Sequence, residues 1–145
     1  MKEKIKLKIK RLHPNAKLPS YAHHGDAGFD LFVPESVTME PGDRKTIPLG
    51  VAMEIPDGYV GLMFDKSSLS HKHGLKTFGN VIDSGYRGEI HAGLMNQSKN
   101  TYTLEAGQKI IQMLIIPVET VDIEETDILN ESDRGTGGFG STGKN

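Results

Sequence analysis

Ile47, Leu49, Val51, Met53 and Ile55 form an unbroken alternation. That period of two specifies an extended strand with one face turned to a core. Pro41-Gly42-Asp43 punctuates the chain before this run and Pro56-Asp57-Gly58 ends it, and another strand-like stretch, residues 59–64, begins at once. Short strands divided by turn residues at nearly regular spacing indicate an all-β barrel or sandwich. No window carries the pattern of a long amphipathic helix. A chain of 145 residues fits one domain that buries a core without staples.

Composition removes several functional classes. There is no cysteine, so a disulfide frame, a thiolate metal site and a thiol nucleophile are excluded. The N-terminal MKEKIKLKIKRL has no continuous apolar core, and no run approaches the length of a membrane span. The chain therefore reads as soluble and unprocessed, with no membrane partner and a cytoplasmic setting expected. A net charge of -2 argues against a general polyanion binder, and no nucleic-acid partner is expected. Lys4, Lys6, Lys8 and Lys10 alternate with Ile5, Leu7 and Ile9, which predicts a half-wet strand over residues 4–10 whose lysines are solvated or protect an edge.

Five stretches carry chemistry. In AGFDL, Asp30 sits on an otherwise apolar strand, where it needs a partner or caps a neighbouring turn. Asp65-Lys66-Ser67-Ser68-Leu69-Ser70 breaks the strand pattern where one or two helical turns begin. Its lysine, hydroxyls and free N–H groups suit a phosphate, and Ser67 suits equally well a plain N-cap. GNVIDSGYRGEI, residues 79–90, reads as a tight β-hairpin with Asp83 and Tyr86 at its tip. Such a tip presents a proton acceptor and a ring to a planar ligand, although turn chemistry alone accounts for the same residues. Gln112 is the lone polar side chain of an apolar run, residues 110–118, so it either ties the core or reaches into a site.

After an acidic connector, residues 119–133, the tail RGTGGFGSTGKN gathers five glycines, Arg134, Phe139, Ser141 and Thr142. It suits phosphate wrapping under an aromatic cover, without the Walker ending of a P-loop; a disordered tail has the same composition. His71-Lys72-His73 lacks the further ligands that a metal site needs.

In this order and spacing, AGFDL, KSSLS, GNVIDSGYRGEI, AGQKIIQML and RGTGGFGSTG resemble the five motifs of the homotrimeric deoxyuridine triphosphatases over nearly the whole chain. The resemblance implies a jelly-roll-like distorted β-barrel, residues 1–133, with a flexible glycine-rich lid, residues 134–145, belonging to the same domain. It implies a homotrimer with three active sites between subunits. It also implies Mg²⁺-dependent hydrolysis of dUTP to dUMP and pyrophosphate, which limits uracil in DNA and supplies dUMP for dTMP synthesis.

Carried over by position, Asp83 resembles the general base that activates water for in-line attack on the α-phosphorus. Tyr86 resembles the ring under the deoxyribose, and Asn80, Val81 and Ile82 belong to the backbone that reads uracil. Lys66, Ser67, Ser68 and Gln112 resemble phosphate contacts, and Asp30 a supporting acid. In the tail, Arg134, Gly140, Ser141 and Thr142 resemble phosphate ligands and Phe139 a cover on the base. The metal is held mainly by the triphosphate and water, with no direct protein ligand implied.

Where the family usually reads Pro-Arg-Ser-Gly-Leu, this chain has Asp65-Lys66-Ser67-Ser68-Leu69, a point charge in place of a guanidinium fork. Gly85 stands where a second Asp is common, and Asn80 near a frequent Gly. The related dCTP deaminases share a Ser-Ser-Leu stretch and a similar hairpin. They need a glutamate about where Gly93 stands and typically an arginine about where His71 stands. A non-catalytic dUTP-binding regulatory module is the third alternative.

Overall fold

The computed structural model describes residues 3–143; Met1, Lys2 and the last two tail residues, Lys144 and Asn145, lie outside the described residues. In chain order the elements are β1 (Lys8–Arg11), β2 (Phe29–Phe32), β3 (Val37–Met39), β4 (Arg44–Glu54), β5 (Tyr59–Asp65), α1 (Ser67–His73), β6 (Leu75–Phe78), β7 (Val81–Ile82), β8 (Glu89–Asn96), β9 (Tyr102–Leu104) and β10 (Lys109–Pro117). The alternating run is β4, the longest of them. Among the described residues the strands pair antiparallel, in two four-stranded sheets ordered β1-β4-β8-β6 and β2-β10-β5-β7, with β3 and β9 forming a separate pair. The all-β, jelly-roll-like expectation stands, and the sheets do not close into one continuous cylinder.

One core lies between the sheets. Leu49, Val51, Ile90 and Leu94 from the first meet Leu31, Met63, Ile111 and Met113 from the second in a single buried cluster. Leu94 is 1% exposed. Leu94→Ala is expected to lower the unfolding free energy by about 2–5 kcal/mol, since close-packed neighbours relax only partly into the space left. Urea unfolding measures this, and a loss under about 1 kcal/mol would place Leu94 outside the shared core.

The amino-terminal strand is shorter than its alternation predicts. Pairing with β4 begins at Lys8, opposite Glu54, and Pro56 beyond offers no N–H to continue the ladder, so residues 3–7 have no strand structure. Asn96 is buried and satisfied: its Nδ2 donates to the carbonyls of Met39 and Asn100, and its Oδ1 accepts from the N–H and hydroxyl of Ser98. Among the described residues no helix is long and apolar enough to cross a membrane.

Candidate active site

The apolar run of β10 places Gln112 between two strands, opposite Asp30 of β2 on one side and Phe64 of β5 on the other. A polar cluster forms there. Asp30 is buried, with Oδ1 accepting from Lys66 Nζ at 2.6 Å and Oδ2 lying 3.3 Å from Lys109 Nζ. So it neutralises ammonium groups rather than capping a turn, and two cations around one anion leave the cluster with surplus positive charge. Gln112 Nε2 donates to the Asp65 carbonyl at 3.0 Å, so the amide ties two strands and is also only partly buried.

Lys66, with φ -76° and ψ 120°, is the N-cap of α1, and no side chain caps this helix. Ser67 is therefore its first residue and not the cap. Ser67 and Ser68 are exposed at the helix start, beside the lysine–aspartate pair. His73 packs its ring on Tyr102 at 4.3 Å between centroids.

Asp65, the last residue of β5, joins this cluster to β6. Its Oδ1 accepts from the Thr77 N–H at 2.9 Å and the Thr77 hydroxyl at 2.7 Å, while Oδ2 pairs with Lys76. Burial pushes the Asp65 carboxyl up, but the hydrogen bonds from Lys76 and Thr77 and the lysine charge outweigh it, so the group titrates below its ordinary value.

The segment carrying Asp83 departs from the predicted hairpin. A tight turn is present, with Tyr86 N–H donating to the Asp83 carbonyl at 3.1 Å, but its two arms do not pair with each other. β7 pairs with β5 in one sheet and β8 pairs with β4 and β6 in the other. β7 is consequently an edge, bonded on one side only among the described residues.

Asp83 is exposed at the start of the turn, and Arg87 donates to the carbonyls of Ser84 and Tyr86 at 2.6 and 3.2 Å, bracing it. The Tyr86 hydroxyl folds back onto the Glu89 carbonyl at 2.8 Å. A side chain at Gly88 would put Cβ 2.5 Å from that hydroxyl, so only glycine lets the ring lie there. Val81, Ile82, Asp83, Tyr86 and His91 line a cavity of about 200 Å³.

These groups are not all brought together. Gly61 pairs with Ile82, which sets Asp83 beside Val60, whereas Lys66 lies six residues further along the same chain. At the usual strand rise the separation is on the order of 20 Å. Asp30, Lys66, Ser67, Ser68 and Gln112 form one half-site, and Val81, Ile82, Asp83 and Tyr86 another. Asn80 lies between them, its Nδ2 donating to the Thr77 hydroxyl at 3.1 Å.

The tail joins neither half-site by any hydrogen bond found among the described residues. Arg134 Nε donates to the Gly137 carbonyl at 2.7 Å, Ser141 N–H to Gly138 at 3.1 Å and Gly143 N–H to Gly140 at 2.9 Å, with Thr142 exposed beside them. Phe139 is fully exposed at φ 53°.

Sequence reasoning passed over Lys109, Asp65 and Arg87. For Lys109 the available signal was its place three residues before Gln112. For Asp65 it was a carboxylate where the resembled family reads proline.

The match to known proteins agrees with this arrangement along the chain's length. The dUTPase family model covers residues 14–143. A deoxyuridine 5'-triphosphate nucleotidohydrolase of Clostridium tetani (strain Massachusetts / E88) is 46% identical over 140 residues, covering 95% of this chain and 97% of that one. One from Thermobifida fusca (strain YX) is 44% identical over 142 residues, covering 96% and 79%. The Staphylococcus bacteriophage 80alpha dUTPase with dUPNHPP superposes with a TM-score of 0.90 at 32% identity, covering 96% of this chain and 99% of that one. A mutant dUTPase from phage phi11 of S. aureus, described for its coordination of a structural Mg(II) ion, has a TM-score of 0.80 at 29% identity over 86% of this chain and 98% of that one. Sheet order, the five blocks and these full-length likenesses converge: the chain belongs to the dUTPase family.

Proposed function

We propose that this protein hydrolyses dUTP to dUMP and pyrophosphate. The observation that carries the reading is the turn that displays an exposed Asp83 carboxylate next to β7, whose outer edge is unpaired. The backbone N–H and C=O of Val81, which face away from β5, match the donors and acceptors of a planar pyrimidine, with Ile82 holding the strand to β5. Tyr86, held by its hydroxyl, packs under the deoxyribose, where a ribose 2′-hydroxyl would meet the ring. Asp83 then takes a proton from a water aimed at the α-phosphorus, with pyrophosphate leaving on the opposite side.

The phosphates belong with the surplus positive charge around Asp30, where Lys66, Lys109, Ser67, Ser68 and Gln112 supply donors. The distance between half-sites means that one chain does not close both around one nucleotide. A homotrimer in which each site takes Asp83 from one subunit and the Lys66 cluster from another meets that requirement. Residues 134–145 then act as the lid, with Phe139 over the base and Arg134, Gly140, Ser141 and Thr142 at the phosphates. Both Asp30 oxygens are engaged by lysines, and no group of three or more His, Asp or Glu suits a cation among the described residues. Mg²⁺ held by the triphosphate and water is the form that fits this donor set, and when bound it offsets the charge of the phosphates.

Deamination of dCTP is disfavoured by the fold itself. A Cβ at Gly93 would stand 2.6 Å from the Phe78 carbonyl oxygen, so the glutamate that such an enzyme needs has no room there. The deciding experiment follows pyrophosphate and ammonia from dUTP and dCTP in separate reactions, with Mg²⁺ and with chelator. Pyrophosphate from dUTP without ammonia from dCTP is the expected result. Ammonia from dCTP overturns it, and dUTP binding without either product leaves a binding module.

A further inference from the structure

We propose that Asp65 is a positioning residue that holds the phosphate half-site and the base-reading strand β7 of one subunit in a single rigid frame. The inference rests on the functional reading above and adds a residue to it. Asp65 faces both halves. Its main-chain carbonyl fixes Gln112 at 3.0 Å, and the next two residues are Lys66, paired with Asp30, and Ser67 at the helix start. Its carboxylate fixes Thr77 twice, at 2.9 and 2.7 Å, and the Thr77 hydroxyl in turn accepts from Asn80 Nδ2 at 3.1 Å. Asn80 immediately precedes Val81, and its carbonyl accepts the Met63 N–H at 2.9 Å, which starts the β5–β7 ladder.

A continuous chain of hydrogen bonds therefore runs from Gln112 through Asp65 and Thr77 to the strand that would read the base. Lys76 closes the same carboxylate on its solvent side. A proline here, as the resembled family usually has, would keep the carbonyl toward Gln112 but has no carboxylate for Thr77, so that half of the tie belongs to this sequence. The hydrogen bonds from Lys76 and Thr77 favour the charged form of Asp65 and lower its titration, which agrees with a carboxylate built in as an acceptor.

The test compares Asp65→Ala with Asp65→Asn in the full-length protein, reading kcat and KM for dUTP, the Kd of dUpNHpp and the thermal midpoint. Loss of the acceptor is expected to raise KM and Kd about tenfold with kcat changed less than about threefold. Asp65→Asn keeps one oxygen toward Thr77 and is expected to return KM to within about threefold of the parent. A lowered midpoint with KM and Kd unchanged overturns the proposal, because a merely structural residue gives that pattern. A fall in kcat alone also overturns it.

Should Asp65→Ala fail to fold, Thr77→Val removes the hydroxyl link to Asn80 while keeping the backbone bond. A KM raised about threefold supports the frame and an unchanged KM refutes it. If the parent protein binds dUpNHpp but yields no pyrophosphate from dUTP, the functional reading has failed. The Kd of dUpNHpp then decides the Asp65 proposal by itself.

Discussion

Asp83→Asn is expected to lower dUTP turnover by about 10²- to 10⁴-fold, the range that a positioned general base contributes. The substitution is nearly isosteric. An amide accepts a hydrogen bond from water but does not take its proton at neutral pH, so the nucleophile is held and not activated. The fold has little stake in the carboxylate: Asp83 is exposed, and the bond that closes the turn uses its backbone carbonyl. The Kd of dUpNHpp should therefore stay within about threefold, separating a lost chemical step from lost binding. Single-turnover hydrolysis alongside that binding measurement checks it. Turnover within about tenfold of the parent would remove Asp83 from the base role.

A chain ending at Asp133 should melt within about 3 °C of the intact protein yet lose on the order of 10²-fold in kcat/KM. The buried core extends no further along the chain than Met113, and the tail hydrogen bonds described bring residues 134–143 together among themselves and with Ser132. Removing them exposes no buried apolar surface of the body. What goes is the proposed cover: Arg134 and the tail hydroxyls at the phosphates, and Phe139, whose ring meets no core of its own. Excluding water and completing the ligand shell is the usual work of such a segment. Calorimetry and steady-state kinetics on the shortened chain distinguish the roles. An unfolded product would make the tail structural, and undiminished kcat/KM would leave it without a part in hydrolysis.

The sequence made the strands legible because alternation reports which face of a strand is wet. Residues 47–55 show it clearly, and all but Ile55 lie in β4. Alternation does not report a strand's partner. That is why residues 4–7 looked like strand but found no neighbour, and why residues 79–90 looked like one hairpin although β7 and β8 belong to different sheets. Polar residues whose partners are distant in sequence were equally hidden. Asp30 announced that it needed a counter-charge, yet nothing local named Lys66 or Lys109. Asp65 resembled an ordinary strand terminator until Thr77 was brought beside it.

The parting of β7 from β8 also bears on how the molecule avoids sticking to its own kind. An unpaired sheet edge recruits any extended backbone, and exposed edges are a common origin of aggregation. Here the open edge is two residues long and stops at an acid, Asp83, in a turn. That is enough ladder for one small flat molecule and too little to nucleate a strand from a foreign chain. On the proposed reading, the brevity of β7 separates recognition of a nucleobase from the hazard of polymerisation at this edge.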